Sequence, residues 1–324
     1  MRRIYRIGFA ALVGVLLLGA PALADISNQT PVGETYAAFL EISQSARAAG
    51  MGDAYVAVAD DINSVFWNPA GLTAMTRNRL QFAFTNTRWL LESQLNSAAI
   101  GVNTDYGALA LSLVAFNTGD IEETTIFNPE GTGRILDTGS WAVGGVYARQ
   151  FTERFSVGFQ ARVVEEKLDR GYDYRVFDLA VGTFYHTGFR SLRIGMSLRN
   201  FGKDLVLLTN EAIKGKMPVF FSMATAAEVY GERGEDVSLT GAIEALYSVS
   251  VERRMHVGAE LWLRNIVALR AGYKLGYDVQ DVTAGAGVRI QRGIHHVQAD
   301  FAYVKFDNFP DNGATLRFSV TGSF

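Results

Sequence analysis

The chain has 324 residues, of which 48% are hydrophobic and 19% charged, with a formal net charge of −3 and no cysteine. The lack of cysteine excludes disulfide frameworks, thiolate metal sites, thiol nucleophiles and a lipidated N-terminal cysteine. A mildly acidic balance gives no electrostatic ground for nucleic acid as a partner.

At the start of the chain, Arg2, Arg3 and Arg6 precede an apolar core from Ile7 to Gly19 that is too short for an ordinary membrane span. Ala22-Leu23-Ala24 then supplies a small-x-small cleavage pattern, so residues 1–24 read as a signal peptide cut after Ala24. Its removal takes three arginines and no acid, moving the charge to −6. Beyond it, no run approaches the roughly 18 apolar residues of a spanning helix.

Residues 25–79 differ in character from the remainder of the chain. Small residues dominate, Asn68-Pro69 is a turn signal, and Gly71 permits a positive φ just after it. Two readings fit: an extension folded on one mouth of a barrel, or a plug inside its lumen.

Residues 80–324 read as strands with little between them, at 80–88, 94–103, 107–116, 139–151, 154–167, 174–186, 190–200, 218–229, 236–248, 253–263, 266–277, 281–290, 294–305 and 313–324. Within each strand, apolar and polar residues alternate, as two faces of a sheet require. Arg162, Arg193, Arg199, Glu244, Glu260, Arg270, Lys274, Arg289, Asp300 and Arg317 all fall on the less apolar face. In a soluble sandwich that face meets solvent. In a membrane barrel the faces invert, with apolar rows against lipid and polar rows enclosing a lumen. Trp89, Trp141, Trp262, Tyr147, Tyr185, Tyr273, Tyr277 and Tyr303 lie towards segment ends, where interfacial girdles form.

The connections give a second test. Those after even-numbered strands are short, and the two longest, at 117–138 and 201–217, come after strands three and seven. Single-chain bacterial barrels have an even strand number, short periplasmic turns and longer outer loops. The predicted class is therefore all-β: a transmembrane antiparallel barrel of about fourteen strands with an N-terminal plug or hatch segment. Its last strand, 314–324, alternates strictly and ends on Phe324, which looks like the signal read by barrel assembly machinery. The expected location is the bacterial outer membrane, with outer-membrane lipid as the surrounding partner.

Residues 45–61, together with Phe66-Trp67-Asn68-Pro69-Ala70-Gly71, closely resemble the PorV/PorQ family, which looks like a branch of FadL-type outer-membrane transporters. Gly258 to Trp262, Ala268 to Lys274 and Thr283 to Val288 extend the likeness along the mature chain. The resemblance implies a fourteen-stranded barrel whose N-terminal segment enters the lumen as a hatch. It makes Gly50, Gly52, Asn68, Pro69, Ala70 and Gly71 hatch candidates, with Arg47 and Asp53 as lumen contacts. It also implies either passage of fatty-acid-like small molecules with exit through the barrel wall, or a role as cargo-binding shuttle or attachment component in type IX secretion. The longest outer loops read as offering little apolar surface for a ligand.

No enzyme signal emerges. His295 and His296 are adjacent on one strand and face oppositely, as do Glu165 and Glu166, so neither pair can share a metal or an acid–base task. Gly50-Met51-Gly52 and Gly131-Thr132-Gly133 lack the spacing of a phosphate cradle. No cofactor or metal is expected.

Overall fold

The computed structural model describes residues 35–170, 172–206, 214–248, 253–306 and 313–324. The expected signal peptide and residues 25–34 lie outside the described residues.

Fourteen antiparallel strands form a closed barrel. In chain order they are β1 (Leu80–Arg88), β2 (Gln94–Thr104), β3 (Gly107–Asn117), β4 (Gly139–Thr152), β5 (Phe155–Asp169), β6 (Tyr172–His186) and β7 (Arg193–Gly202). The second half comprises β8 (Phe220–Tyr230), β9 (Val237–Ser248), β10 (Arg254–Leu263), β11 (Val267–Leu275), β12 (Val282–Arg292), β13 (His295–Lys305) and β14 (Ala314–Ser323). Each strand pairs with its sequence neighbours, and β1 closes on β14 from Gln81↔Ser323 to Arg88↔Leu316. Closure leaves no strand edge unpaired, which is the condition for crossing a bilayer.

The two faces of this wall are inverted relative to a soluble fold. Large apolar side chains such as Leu109, Leu111, Phe159, Phe177, Leu269 and Phe301 are exposed. The alternate positions are buried and polar: Arg162, Arg193, Glu244, Glu260, Arg270, Lys274, Asp300 and Arg317, with Arg199 and Arg289 half-buried on the same face. Phe324 continues β14 through reciprocal backbone hydrogen bonds with Leu80 and stacks on Phe82.

Parity, not residue type, decides where the aromatics go. Trp262 shares the parity of Glu260 and is buried in the lumen against Arg270 and Arg289, not in a girdle. Trp89 packs edge-on against Phe306 and beneath the Arg317 guanidinium, again on the inner side. Gly276, at φ 81, turns the chain just after β11 so that the Tyr277 hydroxyl meets His256 inside.

Both ends of the strand run, with the short turns, lie at one mouth, here the inner mouth. The long connections after β3 and β7 leave from the opposite, outer mouth. Short turns belong to the periplasmic side of such barrels. Register shifts occur in the β4–β5, β5–β6, β6–β7 and β8–β9 pairs; in the β6–β7 pair Leu179 pairs with Phe201 but Val181 with Leu198, so Arg199 and Asn200 bulge opposite Ala180. The bulge is accommodated by Asn200 at φ 58.

Candidate functional site

The chain from Thr35 to Asn78 runs through the lumen. At the outer mouth Thr35 bridges Lys216, and the Ala37 amide donates to Glu166 Oε2 at 2.9 Å. At the inner mouth Arg77 bridges Asn103. Between these points lie two short helices, α1 (Ala46–Gly50) and α2 (Ser64–Trp67), and 3₁₀ turns at Ala38–Glu41 and Pro69–Ala74. These helices are too short to be stable alone. They are held by the wall.

Small residues let the two backbones touch. A Cβ on Gly272 would stand 2.1 Å from the Gly52 nitrogen, one on Gly258 2.4 Å from the Met51 oxygen, and one on Gly195 2.5 Å from the Val56 oxygen. Gly50 meets Gly285 in the same way. The 68–71 motif uses every one of its residues. Asn68 caps the Pro69–Ala74 turn by accepting from the Ala70 amide at 3.2 Å, while its Nδ2 donates to Val56 O and Thr183 O, each at 3.0 Å. Pro69 opens that turn and lies against Gly158, where a Cβ would collide with it. Ala70 is fully buried, and a Cβ on Gly71 would reach 2.3 Å from Ala59 O.

Charge fixes this segment as firmly as packing does. Arg47 forks onto Glu260 (Nε–Oε2 2.9 Å, Nη2–Oε1 2.8 Å) and also reaches Asp60 at 2.7 Å and Asp61 at 2.9 Å. Glu260 accepts again from Arg270 at 2.7 Å, and Arg270 continues to Asp300 at 2.8 Å. Burial works against the Arg47 charge, but Asp60 and Glu260 hold its proton well above the ordinary value. Arg289 donates to Gln298, which donates to Asp300. On other parts of the wall, Arg193 donates to Ala57 O and pairs with Glu228, and Arg162 pairs with Asp178.

Above this packed region, towards the outer mouth, lies a cavity of about 720 Å³. Its apolar lining comprises Phe39, Leu40, Trp67, Trp89 and Phe116, with Ile121 and Leu136 from the 118–138 connection. That connection therefore supplies apolar surface the sequence pattern did not suggest. The same lining carries Arg199, Glu244, Arg254, His256, Lys274 and Arg317. Lys274 Nζ meets Asp53 Oδ2 at 2.5 Å, and Glu244 Oε2 accepts from the Tyr55 and Val56 amides at 3.1 Å each. Arg199 donates to Phe66 O at 2.9 Å, and Arg254 stands 3.8 Å from Glu41. Asp53 reaches Lys274 because Gly52 and Asp53 take consecutive positive φ values, 65° and 62°, after α1. Burial alone would push the Asp53 carboxyl up, but Lys274 and His256 hold it well below the usual carboxylate range.

These charges are incompletely satisfied. Among the described residues, eight ionisable side chains have a buried polar atom with no hydrogen-bond partner, and six of them line the cavity: Asp53, Arg199, Glu244, Arg254, His256 and Arg317. Arg317 is the sharpest case. It is 1% exposed, its Nη1 donates only to Thr315 Oγ1 at 2.9 Å, and its guanidinium covers the Trp89 ring. A buried polar group left unpaired is costly. Sequence reading placed Arg199, Glu244, Lys274 and Arg317 in the lumen and left His256 as interfacial or lumenal, but missed Glu41 and Arg254. The parity that Arg254 and His256 share with Glu260 on one strand was the available signal.

Residues 26–173 match the family model described as PorV, type IX secretion system protein PorV. The PorV likeness read from the sequence is thus borne out over that stretch. No curated protein sequence matches the chain. Among solved structures, the fold is similar to the Ralstonia pickettii toluene transporter TbuX (TM-score 0.55, 11% identity, covering 88% of this chain and 98% of that one). It is similar also to a Pseudomonas aeruginosa FadL homologue (0.55, 10%, 87% and 98%) and to the Pseudomonas putida toluene transporter TodX (0.57, 10%, 91% and 99%). At such identities the likeness establishes the FadL-type outer-membrane barrel fold alone.

Proposed function

We propose that this barrel takes hydrophobic small molecules carrying an anionic head group, fatty-acid-like in character, from the outer face into the cavity and releases them sideways through the wall. The observation that carries this reading is the mixed lining of the cavity. Its apolar residues suit an acyl or aryl body, and among them stand Arg199, Arg254 and Arg317, each with a buried Nε that has no hydrogen-bond partner. An arginine pairs with a carboxylate through charge-assisted hydrogen bonds that neutral ligands cannot make. The lumenal segment then acts as a plug, a reading supported by the contact distance between its backbone and wall glycines Gly195, Gly258, Gly272 and Gly285. The bulge at Arg199 and Asn200 supports β7 as the exit, since Arg199 lines the cavity and the wall ladder is interrupted beside it.

Flux into proteoliposomes tests this. Labelled dodecanoate should enter faster than in protein-free vesicles while glucose does not. Equal flux of both, or of neither, would reject the reading. No enzymatic step is invoked.

A second reading, an accessory role in type IX secretion, is favoured by one observation. The tip of the 118–138 connection bears Ile126 and Phe127, 95% and 92% exposed, among acidic neighbours. Exposed apolar pairs of this kind mark protein contacts. In a strain that secretes by this route, I126S/F127S should abolish co-purification of a translocon component or cargo. Unchanged recovery would remove this alternative.

A further inference from the structure

The two mouths differ in charge, and the difference has a recurring form at the inner one. Four of the six short inner connections contain arginine and none contains lysine, and at some of the six an exposed apolar residue lies within three positions of an arginine: Phe151 and Arg154, Phe189 and Arg190, Ile294 and Arg292. Phe189, 69% exposed, lies under the Arg190 guanidinium, with ring centroid and Cζ 5.9 Å apart. Arg149 projects outward on β4, and Arg264 comes just after β10, next to exposed Ile266. Among the described residues, Arg149, Arg154, Arg264 and Arg292 form no ion pair. Acids at this mouth are Glu232, Glu235 and Asp236 in the β8–β9 turn, Asp105 in the β2–β3 turn and Glu153 beside Arg154. By contrast, the outer 118–138 connection holds Asp120, Glu122, Glu123, Glu130 and Asp137 against Arg134.

We infer that the inner rim is a binding surface for anionic phospholipid of the inner leaflet. Phe151, still on β4, sits at the acyl boundary, and Phe189 and Ile294 stand in the turns at the same rim, where large amphipathic side chains anchor barrels. The neighbouring guanidinium then lies at phosphate level, where its planar fork can hold two oxygens. The apolar half of the pattern favours a membrane lipid over a non-lipid anionic polymer such as peptidoglycan, which offers nothing for Phe151 or Ile294 to enter. The lipopolysaccharide leaflet meets the acidic outer mouth instead. The pattern depends on barrel orientation and not on what the lumen carries, so it stands or falls separately from the proposed transport.

Native mass spectrometry of the whole purified barrel, titrated with phosphatidylglycerol and with phosphatidylcholine, tests the inference. Phosphatidylglycerol should be retained preferentially, and added salt should erase the preference. R149Q/R154Q/R264Q/R292Q should lower the preference by at least about tenfold, since each basic residue near an anionic surface contributes about fivefold. K167Q/R170Q at the outer mouth should leave it intact. Should the fourfold variant fail to fold, R264Q/R292Q and the salt dependence of the unaltered chain carry the same test. Equal retention of the two lipids would overturn the inference, as would a preference that survives the inner-rim variants or is lost in K167Q/R170Q. Sedimentation with peptidoglycan without lipid discrimination would also overturn it.

Discussion

The inner half of the lumen and the outer half are lined by the same kinds of residues, yet one is solid and the other hollow. Near the inner mouth, Arg47, Glu260, Arg270 and Asp300 form a chain of ion pairs that leaves one Arg270 nitrogen without a partner, and wall glycines admit the lumenal backbone to contact distance. Near the outer mouth, Arg199, Arg254 and Arg317 line a cavity, and each has a buried nitrogen without a hydrogen-bond partner. Inward charge in a barrel is therefore not one signal. Where charges pair across the lumen they bind the inner segment to the wall. Where arginines with an unpartnered nitrogen line a cavity, the proposed function gives them a ligand.

The largest expected effect breaks the solid half. Glu260→Ala leaves Arg47 and Arg270 buried without their shared carboxylate, and removing one partner of such a pair costs about 3–5 kcal/mol. Denaturant unfolding monitored by the gel shift of the folded barrel should register that loss, whereas Glu41→Ala at the hollow end should change stability by less than about 1 kcal/mol. Next comes Gly272→Ala, whose Cβ would lie 2.1 Å from Gly52 N and must displace backbone. A cost of about 1–3 kcal/mol is expected. Gly145→Ala, where a Cβ meets nothing within 4 Å, should be neutral in the same assay.

The hollow half predicts the opposite sign. Arg317→Gln removes a buried cation with one hydroxyl partner, so the barrel should be as stable as before or more so. Binding of a carboxylate amphipath should nevertheless weaken about tenfold, the value of one charge-assisted hydrogen bond. Isothermal titration alongside unfolding separates the two. If stability and binding fall together, Arg317 is structural and the contrast between halves is wrong.

The smallest effect is in pH. Burial pushes the Asp60 carboxyl up, but Arg233 and Arg47 prevail and hold it at about 2. A depressed carboxyl contributes stability that is complete above its unfolded value and is lost as pH falls through the folded one. Unfolding midpoints should therefore be flat from neutral pH to about pH 4 and decline below it. In D60N that acid limb should shrink.

How much was legible in the sequence depends on the physics of each feature. Period-two alternation has no competitor over ten residues, so the number, register and polarity of the strands could be read directly. The girdle assignments failed for Trp89, Trp262 and Tyr277, where residue type was allowed to override parity or where Gly276 reset it. The cavity was illegible. It depends on Asp53 meeting Lys274, 221 positions apart, and on Glu244 taking two plug amides, contacts that no local pattern encodes. The Asn68 motif was visible, but its need for Gly158 and Gly182 across the wall was not.

The central claim is that the hollow half holds an amphipathic anion, and the four tryptophans offer a direct reading of it. Trp67 and Trp89 line the cavity, whereas Trp141 and Trp262 do not. A fatty acid brominated along its chain should quench fluorescence saturably, with most of the effect lost in W67F/W89F and the midpoint raised by Arg317→Gln. Quenching that never saturates, or that persists undiminished in W67F/W89F, would contradict the account.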